Sequence, residues 1–262
     1  VTATVTRPAG RKPLRCYAAT TLRILRQLRA DRRTVAMILL VPALLMTLLY
    51  FVYQNYPTVP GAPRLFDRVG ITMLGVLPFV VMFLITAIAM QRERVSGTLE
   101  RLMTTPLSKL DLLGGYGTAF SIAAAGQAII ACAVAFWLLD LNAAGSPLLV
   151  VLIAVVDAVL GVALGLLASA FARTEFQAVQ FMPVIVLPQF FLCGLLVPRG
   201  QLPGWLEAIS NVLPLSYAVD ALQQVSTHTG VTGVMWRDIA IVAGFACVAL
   251  GLGAATLRRR TA

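Results

Sequence analysis

The sequence is poor in the residues from which most enzymes build their chemistry. It has one histidine, His228, so the paired histidines of an HExxH zinc helix are excluded. That histidine lies in the polar run STHTG and reads as a solvated loop residue. No GxSxG nucleophile elbow occurs. The only lysines are Lys12, followed by Pro13, and Lys109, followed by Leu110, so the chain has no GxxxxGK[ST] phosphate loop and cannot hydrolyse nucleotide by that route. Four cysteines, Cys16, Cys132, Cys193 and Cys247, form no CxxC pair and mostly fall in apolar runs, which argues against a disulfide framework or a zinc site. No catalytic, metal-binding or cofactor-binding residue is assigned.

Charge is scarce as well. Charged residues make up 12% of the chain and hydrophobic residues 59%, outside the range of soluble domains. Several apolar runs reach the roughly 18–20 residues that cross a bilayer as a helix. In a soluble protein the net charge of +10 would point to nucleic acid. Here the basic residues cluster beside the apolar runs, as in cytoplasmic loops, and no nucleic-acid partner is expected. Nearly all of them are arginine, and with abundant Ala and Val this suggests a GC-rich bacterial genome and a multi-pass protein of the cytoplasmic membrane. The amino-terminal segment does not read as a cleavable signal peptide, because its basic stretch is long and an uninterrupted full-length span follows.

The pattern predicts an all-α membrane protein: one transmembrane domain over residues 1–262, with six spans. Residues 1–13, with Pro8, Gly10 and Pro13, read as a disordered tail. Over 14–33, Leu14, Tyr17, Ala18, Thr21, Leu25 and Leu28 share one helical face while Arg15, Arg23, Arg26 and Arg29 gather on the other. Such a basic amphipathic helix suits the membrane interface, its arginines reaching lipid headgroups. The six-helix bundle covers 34–257. Its spans are predicted at 34–53, 70–90 (interrupted by Pro78), 116–139, 148–171, 176–197 and 239–257. Between the last two, 205–212 and 215–225 form two short external helices. Residues 258–262 are a cytoplasmic tail. With both termini inside, only Arg64, Arg68, Arg199 and Arg237 of the 21 basic residues fall outside, as the positive-inside rule requires.

Three features stand out against this background. The first is the internal segment QRERVSGTLERLMTTPLSKLDLL, residues 91–113. Val95, Leu99, Leu102 and Met103 share a helical face there, and Gly97 is a natural break. Thr105 followed by Pro106 reads as an N-cap and first helical position, opening a short helix that stops at Gly114 and Gly115. The segment is either an amphipathic surface helix or a lever that passes a push from a soluble partner into two spans. The second feature is Asp157, deep in the fourth span, which shares a face with Gly161 and Gly165. It either bonds a polar partner inside a packed interface or serves as a proton or substrate site. The third is the fifth span, where Gln177, Gln180 and Gln189 accompany Phe181, Phe190 and Phe191 and two prolines should bend or unwind the helix. Its amides either line a passage or hold helices together.

The internal segment resembles the membrane subunit of type-2 ABC transporters, in the branch that includes bacterial drug and antibiotic exporters. That family carries an acidic residue and a GTLE motif after the second span, with a proline a few residues on. The motif stands here as Glu93, Gly97, Thr98, Leu99, Glu100, Leu102, Thr105 and Pro106. A second stretch, FLCGLLVPRGQLPGWLEAISNVLPLSYAVDA at 191–221, is similar to the family's segment after the fifth span. The likeness covers nearly the whole chain. It implies two permease subunits, alike or different, each above a separate ATPase subunit that holds the ATP and magnesium. Residues 97–106 would be the cytoplasmic coupling helix. The path would run between the second and fifth spans of both subunits, past Gln177, Gln180, Phe181 and Gln189, with the two short helices as its outer gate. The expected substrate is a small amphipathic drug-like molecule or a lipid, and membrane lipids are expected partners. Asp157 matches no motif of the family. Two alternatives remain: an exporter of cell-envelope glycolipids, and a proton-coupled secondary transporter using Asp157.

Overall fold

The computed structural model describes residues 13–57, 63–97 and 108–256. Nine α-helices lie among them. Helix α1 (Pro13–Ala30) and helix α2 (Arg32–Tyr53) meet at Asp31. They are followed by α3 (Leu65–Val95), α4 (Lys109–Ala133, continued by a π-helical turn, Val134–Leu138), α5 (Pro147–Ser169) and α6 (Glu175–Leu192). A 3₁₀ turn (Arg199–Gln201) leads to the short helices α7 (Gly204–Ser210) and α8 (Pro214–Thr227), and α9 (Gly233–Thr256) closes the bundle. Helices α2, α3, α4, α5, α6 and α9 are long and apolar enough to cross a membrane. The end where α3 stops and α4 starts is termed the base, and the end carrying α7 and α8 the crown.

Helices α3 and α5 form the centre because their backbones can touch. A Cβ built on Gly161 would stand 2.4 Å from the carbonyl oxygen of Phe79, and one on Gly165 2.5 Å from that of Phe83. Glycine at both positions lets the helices close to a distance that any side chain would prevent. The large side chains of Leu74, Phe79, Met82 and Phe83 are then fully buried around the contact. Asp157 lies on the same α5 face, one turn before Gly161, as its spacing predicts.

Several boundaries differ from the sequence expectation, each for a local reason. The second span is not interrupted: α3 runs unbroken through Pro78 and extends past both expected ends, to 31 residues or about 46 Å. Proline removes one backbone donor, and the neighbouring helices packed around it hold the rest of the ladder in place. No short helix stops at Gly114 and Gly115, since α4 passes straight through both. Those glycines admit α1 instead, because a Cβ on Gly115 would lie 2.8 Å from Thr20 Cγ2 and one on Gly114 3.0 Å from Tyr17 Cε2. The cap of α4 is Ser108, whose hydroxyl accepts from the Asp111 amide at 3.0 Å while the Asp111 carboxylate accepts from the Ser108 amide at 3.3 Å. This reciprocal capping box begins the helix seven residues before the expected start of the third span. Thr98, Leu99, Glu100, Leu102, Thr105 and Pro106 lie outside the described residues.

Helix α6 also remains helical across Pro183 and Pro188 and ends at Leu192, short of the expected 197. At the base, α1 ends at Ala30 rather than 33. Asp31 turns the chain there and caps α2, accepting from the Thr34 amide at 3.2 Å and its hydroxyl at 2.6 Å. The expected division of α1 into apolar and basic faces holds only in part. Thr20 and Ile24 are buried against the bundle and Ala18 is exposed, whereas Arg23 turns inward rather than joining the outward basic face.

Connections at the crown are short and bonded. Arg64 grips Asp67 through both carboxylate oxygens, at 3.0 and 3.1 Å, and also reaches the carbonyl of Asp140. The Asn142 amide donates to Asp67 Oδ1 at 3.0 Å. Gly145 donates to the Val225 carbonyl at 2.9 Å, and a Cβ there would lie 2.9 Å from the carbonyl oxygens of both Val225 and His228. His228 itself is exposed and bonded locally to Thr227 and Gln224.

Candidate functional site

The base carries a dense polar network that ties separate helices together beside the segment that follows α3. Helix α3 ends at Val95, and Gly97 follows with φ +72°, a left-handed conformation that glycine adopts at little cost. The break expected at Gly97 is therefore present. Four residues earlier Glu93 is 8% exposed, and its Oε1 accepts from Gln27 Nε2 at 3.2 Å with Arg23 Nη2 at 3.6 Å. The same Arg23 nitrogen donates to the Tyr116 hydroxyl at 2.9 Å. Glu93 and Arg23 together thus join α1, α3 and α4. On the next residue, Arg92 makes a two-pronged pair with Glu175, at 3.1 and 3.2 Å, linking the base of α3 to the first turn of α6. That pair is largely exposed, and its contribution to stability is at most about 1 kcal/mol. Its use is geometric, since it couples the ends of the second and fifth spans.

Asp157 is fully buried, and neither of its carboxylate oxygens has a hydrogen-bond partner among the described residues. The polar partner considered from the sequence is thus not found there. A Cβ on Gly75 would stand 3.4 Å from Asp157 Oδ2 and 2.6 Å from Leu222 Cδ1, which places the carboxyl at the junction of α3, α5 and α8. Gln127 on α4 and Thr86 on α3 are likewise fully buried, with side-chain polar atoms unpartnered among the described residues.

The four residues singled out on the fifth span do not share one environment. Gln189 is buried: its Nε2 donates to the Ile185 carbonyl at 2.9 Å and its Oε1 accepts from the Leu215 amide at 3.3 Å, so it fastens the start of α8 to α6. Gln177 is half-buried and accepts from the Arg173 amide at 2.8 Å, while Phe181 packs against the core. Gln180 is exposed. It lies on a stripe with Phe176, Pro183, Val184, Leu187 and Phe191 that is exposed among the described residues. Only 17% of the span in α6 is buried against 61% in α3, so α6 lies at the margin of the bundle with an apolar face to spare.

The profile described as "ABC-2 type transporter" matches residues 15–226, from the first turn of α1 almost to the end of α8. The chain belongs to the ABC-2 type transporter family. It is 26% identical over 168 residues to "Probable multidrug ABC transporter permease YbhR" of Escherichia coli strain K12, covering 64% of this chain and 46% of that protein. It is 23% identical over 182 residues to YbhS of the same strain, which carries the same description, covering 69% and 48%. It is also 25% identical over 165 residues to "Linearmycin resistance permease protein LnrN" of Bacillus subtilis strain 168, covering 63% and 43%. The chain spans under half the length of these relatives.

Within this ABC-2 domain the crown holds a cluster that sequence reasoning missed. Arg199 pairs with Asp220 and with the side-chain oxygen of Asn211, and its guanidinium lies 5.3 Å from the centre of the Tyr217 ring. Tyr217 in turn donates to the Asn211 carbonyl at 2.6 Å, and Ser210 donates to the Leu192 carbonyl at 2.8 Å. One arginine therefore clamps the segment after α6, the end of α7 and the middle of α8. Burial pushes the Asp220 carboxyl above the usual carboxylate range, and Arg199 opposes that shift. The signal was available in VPRG, where a lone arginine stands between two prolines in an otherwise apolar stretch. Its partner, 21 residues away, was not legible.

Proposed function

We propose that this chain is the membrane subunit of an ATP-driven exporter, in which residues 97–106 form the coupling helix for a separate ATPase subunit that carries ATP and magnesium. Both termini and the base face the cytoplasm, and α1 lies along the inner membrane interface. What supports this is the network around Glu93. The residues leading into the coupling segment are bonded to α1 through Glu93, on to α4 through Arg23, and to α6 through Arg92. A displacement at 97–106 is thereby passed to several helices at once instead of being absorbed by a loose loop. No phosphate loop lies in this sequence, which supports an engine outside it.

The exposed stripe on α6, with Gln180 at its centre, supports pairing with a second permease subunit. Two related permeases in one strain of E. coli are compatible with a pair of unlike chains. The path then runs between α3 and α6 of both subunits. Gln177, Gln180 and Phe181 border it, Gln189 positions its outer end, and the Arg199-clamped crown serves as its outer gate. Two relatives named for multidrug transport or linearmycin resistance support an amphipathic drug-like or lipidic substrate. Asp157 acts in this scheme as part of the α3–α5–α8 junction.

The test is Glu100→Arg, together with deletion of residues 97–100, in cells that express the chain with its ATPase. Drug efflux and ATP hydrolysis by the complex should be lost while the amount of membrane-inserted chain stays the same. Normal efflux by both variants would refute the coupling assignment.

A further inference from the structure

A cavity of about 460 Å³ opens at the base between α1, α2, α3 and α4, away from the α6 stripe and the path proposed above. Its size is that of a small-molecule site, and its composition matches one too: mostly apolar walls with a few polar groups converging at one end. Leu28 of α1, Met37 of α2, Ile85 and Ile88 of α3, and Phe120 of α4 supply the apolar walls. Asp31 and Glu93 supply carboxylates, and Tyr116 adds a second aromatic ring.

The charges of this lining do not cancel. Among the described lining residues Arg92 is the one cation; its guanidinium is bonded to both oxygens of Glu175 and also acts on Asp31 at longer range, so one cation faces two carboxylates there. Arg23 stands behind Glu93 and engages only Oε1, at 3.6 Å, the oxygen that also accepts from Gln27. The other oxygen, Glu93 Oε2, is buried and meets hydrogen-bond geometry with no described residue, although Glu93 as a whole is 8% exposed. A buried carboxylate oxygen without a donor is costly, and a ligand's donor relieves that cost once the Glu93 carboxyl turns this oxygen toward the cavity. A carboxylate pair beside two aromatic rings favours a positive donor, since rings attract cations through their faces. The apolar walls require the remainder of the ligand to be lipophilic.

We infer that this cavity is a binding site for a lipophilic amine, its ammonium group on Glu93 and Asp31 and its apolar body between α2, α3 and α4. The site touches Glu93 directly, so occupancy bears on the residue that, with Arg23, joins α1, α3 and α4 next to the coupling segment. The inference does not depend on the direction of transport or on an ATPase.

Binding is measured on the full chain in a non-ionic maltoside micelle, following the fluorescence of dansylcadaverine, a primary amine with a lipophilic fluorophore. Saturable binding is expected, and the uncharged N-acetyl derivative should bind at least about tenfold more weakly, as loss of a charged hydrogen bond implies. Glu93→Gln should weaken the amine by a similar factor without altering the residual binding of the acetylated probe. Ala89→Trp, which fills the cavity and changes no charge, should abolish binding of both. If Glu93→Gln does not stay folded, as judged by thermal unfolding, Asp31→Asn and Ala89→Trp carry the test. Competition separates the source of the amine. Displacement by phosphatidylethanolamine but not phosphatidylglycerol assigns the site to a lipid headgroup, and displacement by neither assigns it to a soluble amphiphile. Equal affinity for the amine and its acetylated form, or binding unchanged by Ala89→Trp, would overturn the inference.

Discussion

Replacing Gly161 by alanine should force the two central helices apart. The added Cβ would lie 2.4 Å from the Phe79 carbonyl oxygen and 3.1 Å from both Phe79 C and Cα. Ordinary contact begins near 3.4 Å, so α3 and α5 must separate by about 1 Å at this level. The obstacle is backbone, which has no rotamer to change. Gly165, one turn on, sits as close to Phe83, so the helices cannot pivot around one contact to relieve the other. Overpacking of this kind costs about 1–3 kcal/mol, and the better helix propensity of alanine returns up to about 1 kcal/mol. A net loss of about 1–2 kcal/mol is expected, a fall of several degrees in the thermal midpoint. The assay is tryptophan fluorescence on heating the purified chain in detergent, with Gly251→Ala as control. Gly251 has nothing within 4 Å of a built Cβ, so alanine there should be neutral or slightly stabilising. Adding Ala at Gly165 should cost less than the single losses summed, because one separation serves both sites. If Gly161→Ala raised stability by the same increment as Gly251→Ala, the close-contact account of the α3–α5 interface would be wrong.

Two other outcomes follow from bonds at the two ends. Arg199→Ala should leave the half-buried Asp220 without its hydrogen-bonded cation, with Arg237 acting only at longer range, and loosen the crown by about 2 kcal/mol, read as faster hydrogen exchange in α7 and the start of α8. Combining it with Asp220→Asn should restore part of the protection, and no restoration would mean that the clamp acts through packing on Tyr217 instead. At the base, the hydrogen bonds from the Thr34 hydroxyl and amide hold the Asp31 carboxyl below its usual value of 3.8. Folding therefore favours the ionised form, so its contribution is complete above about pH 5 and is lost as pH falls through the lowered folded value. Exchange of the Thr34 amide should quicken below that point in the native chain, and be fast and pH-independent in Asp31→Ala once intrinsic exchange is subtracted.

Much of the architecture was legible because each span answers to its own composition. A helix in lipid satisfies its backbone internally, so length and apolarity locate it without knowledge of its neighbours. The short helices between the last two spans were legible for a related reason, since Pro203 and Pro214 bound them and their polar residues forbid a full span. The Asp157–Gly161–Gly165 stripe was also legible, because a spacing of four places residues on one face whatever packs there. Gly114 and Gly115 show where the same logic fails. Two glycines ahead of an apolar run read as a helix stop, yet the structure uses them to admit Tyr17 and Thr20 from α1, almost a hundred residues earlier. No local pattern distinguishes a glycine that ends a helix from one that makes room for another.

The polar residues divide in the same way. Gln177, Gln180 and Gln189 look alike in sequence, but one caps a local turn, one faces outward and one ties α6 to α8. Arg23 belongs by spacing to the basic face of an amphipathic helix, and it turns inward because Glu93 and Tyr116 wait on helices that only the fold brings near. The sequence alone determined that this chain is a helical membrane protein with six candidate spans, a charged segment between the second and third, and no GxxxxGK[ST] loop. Hydrophobic length and the missing residue types are properties of segments, and they survive without tertiary contacts. The tertiary structure decided which polar groups meet, which glycines are contact points and which helix is left with an exposed face. Those depend on pairings across long stretches of chain.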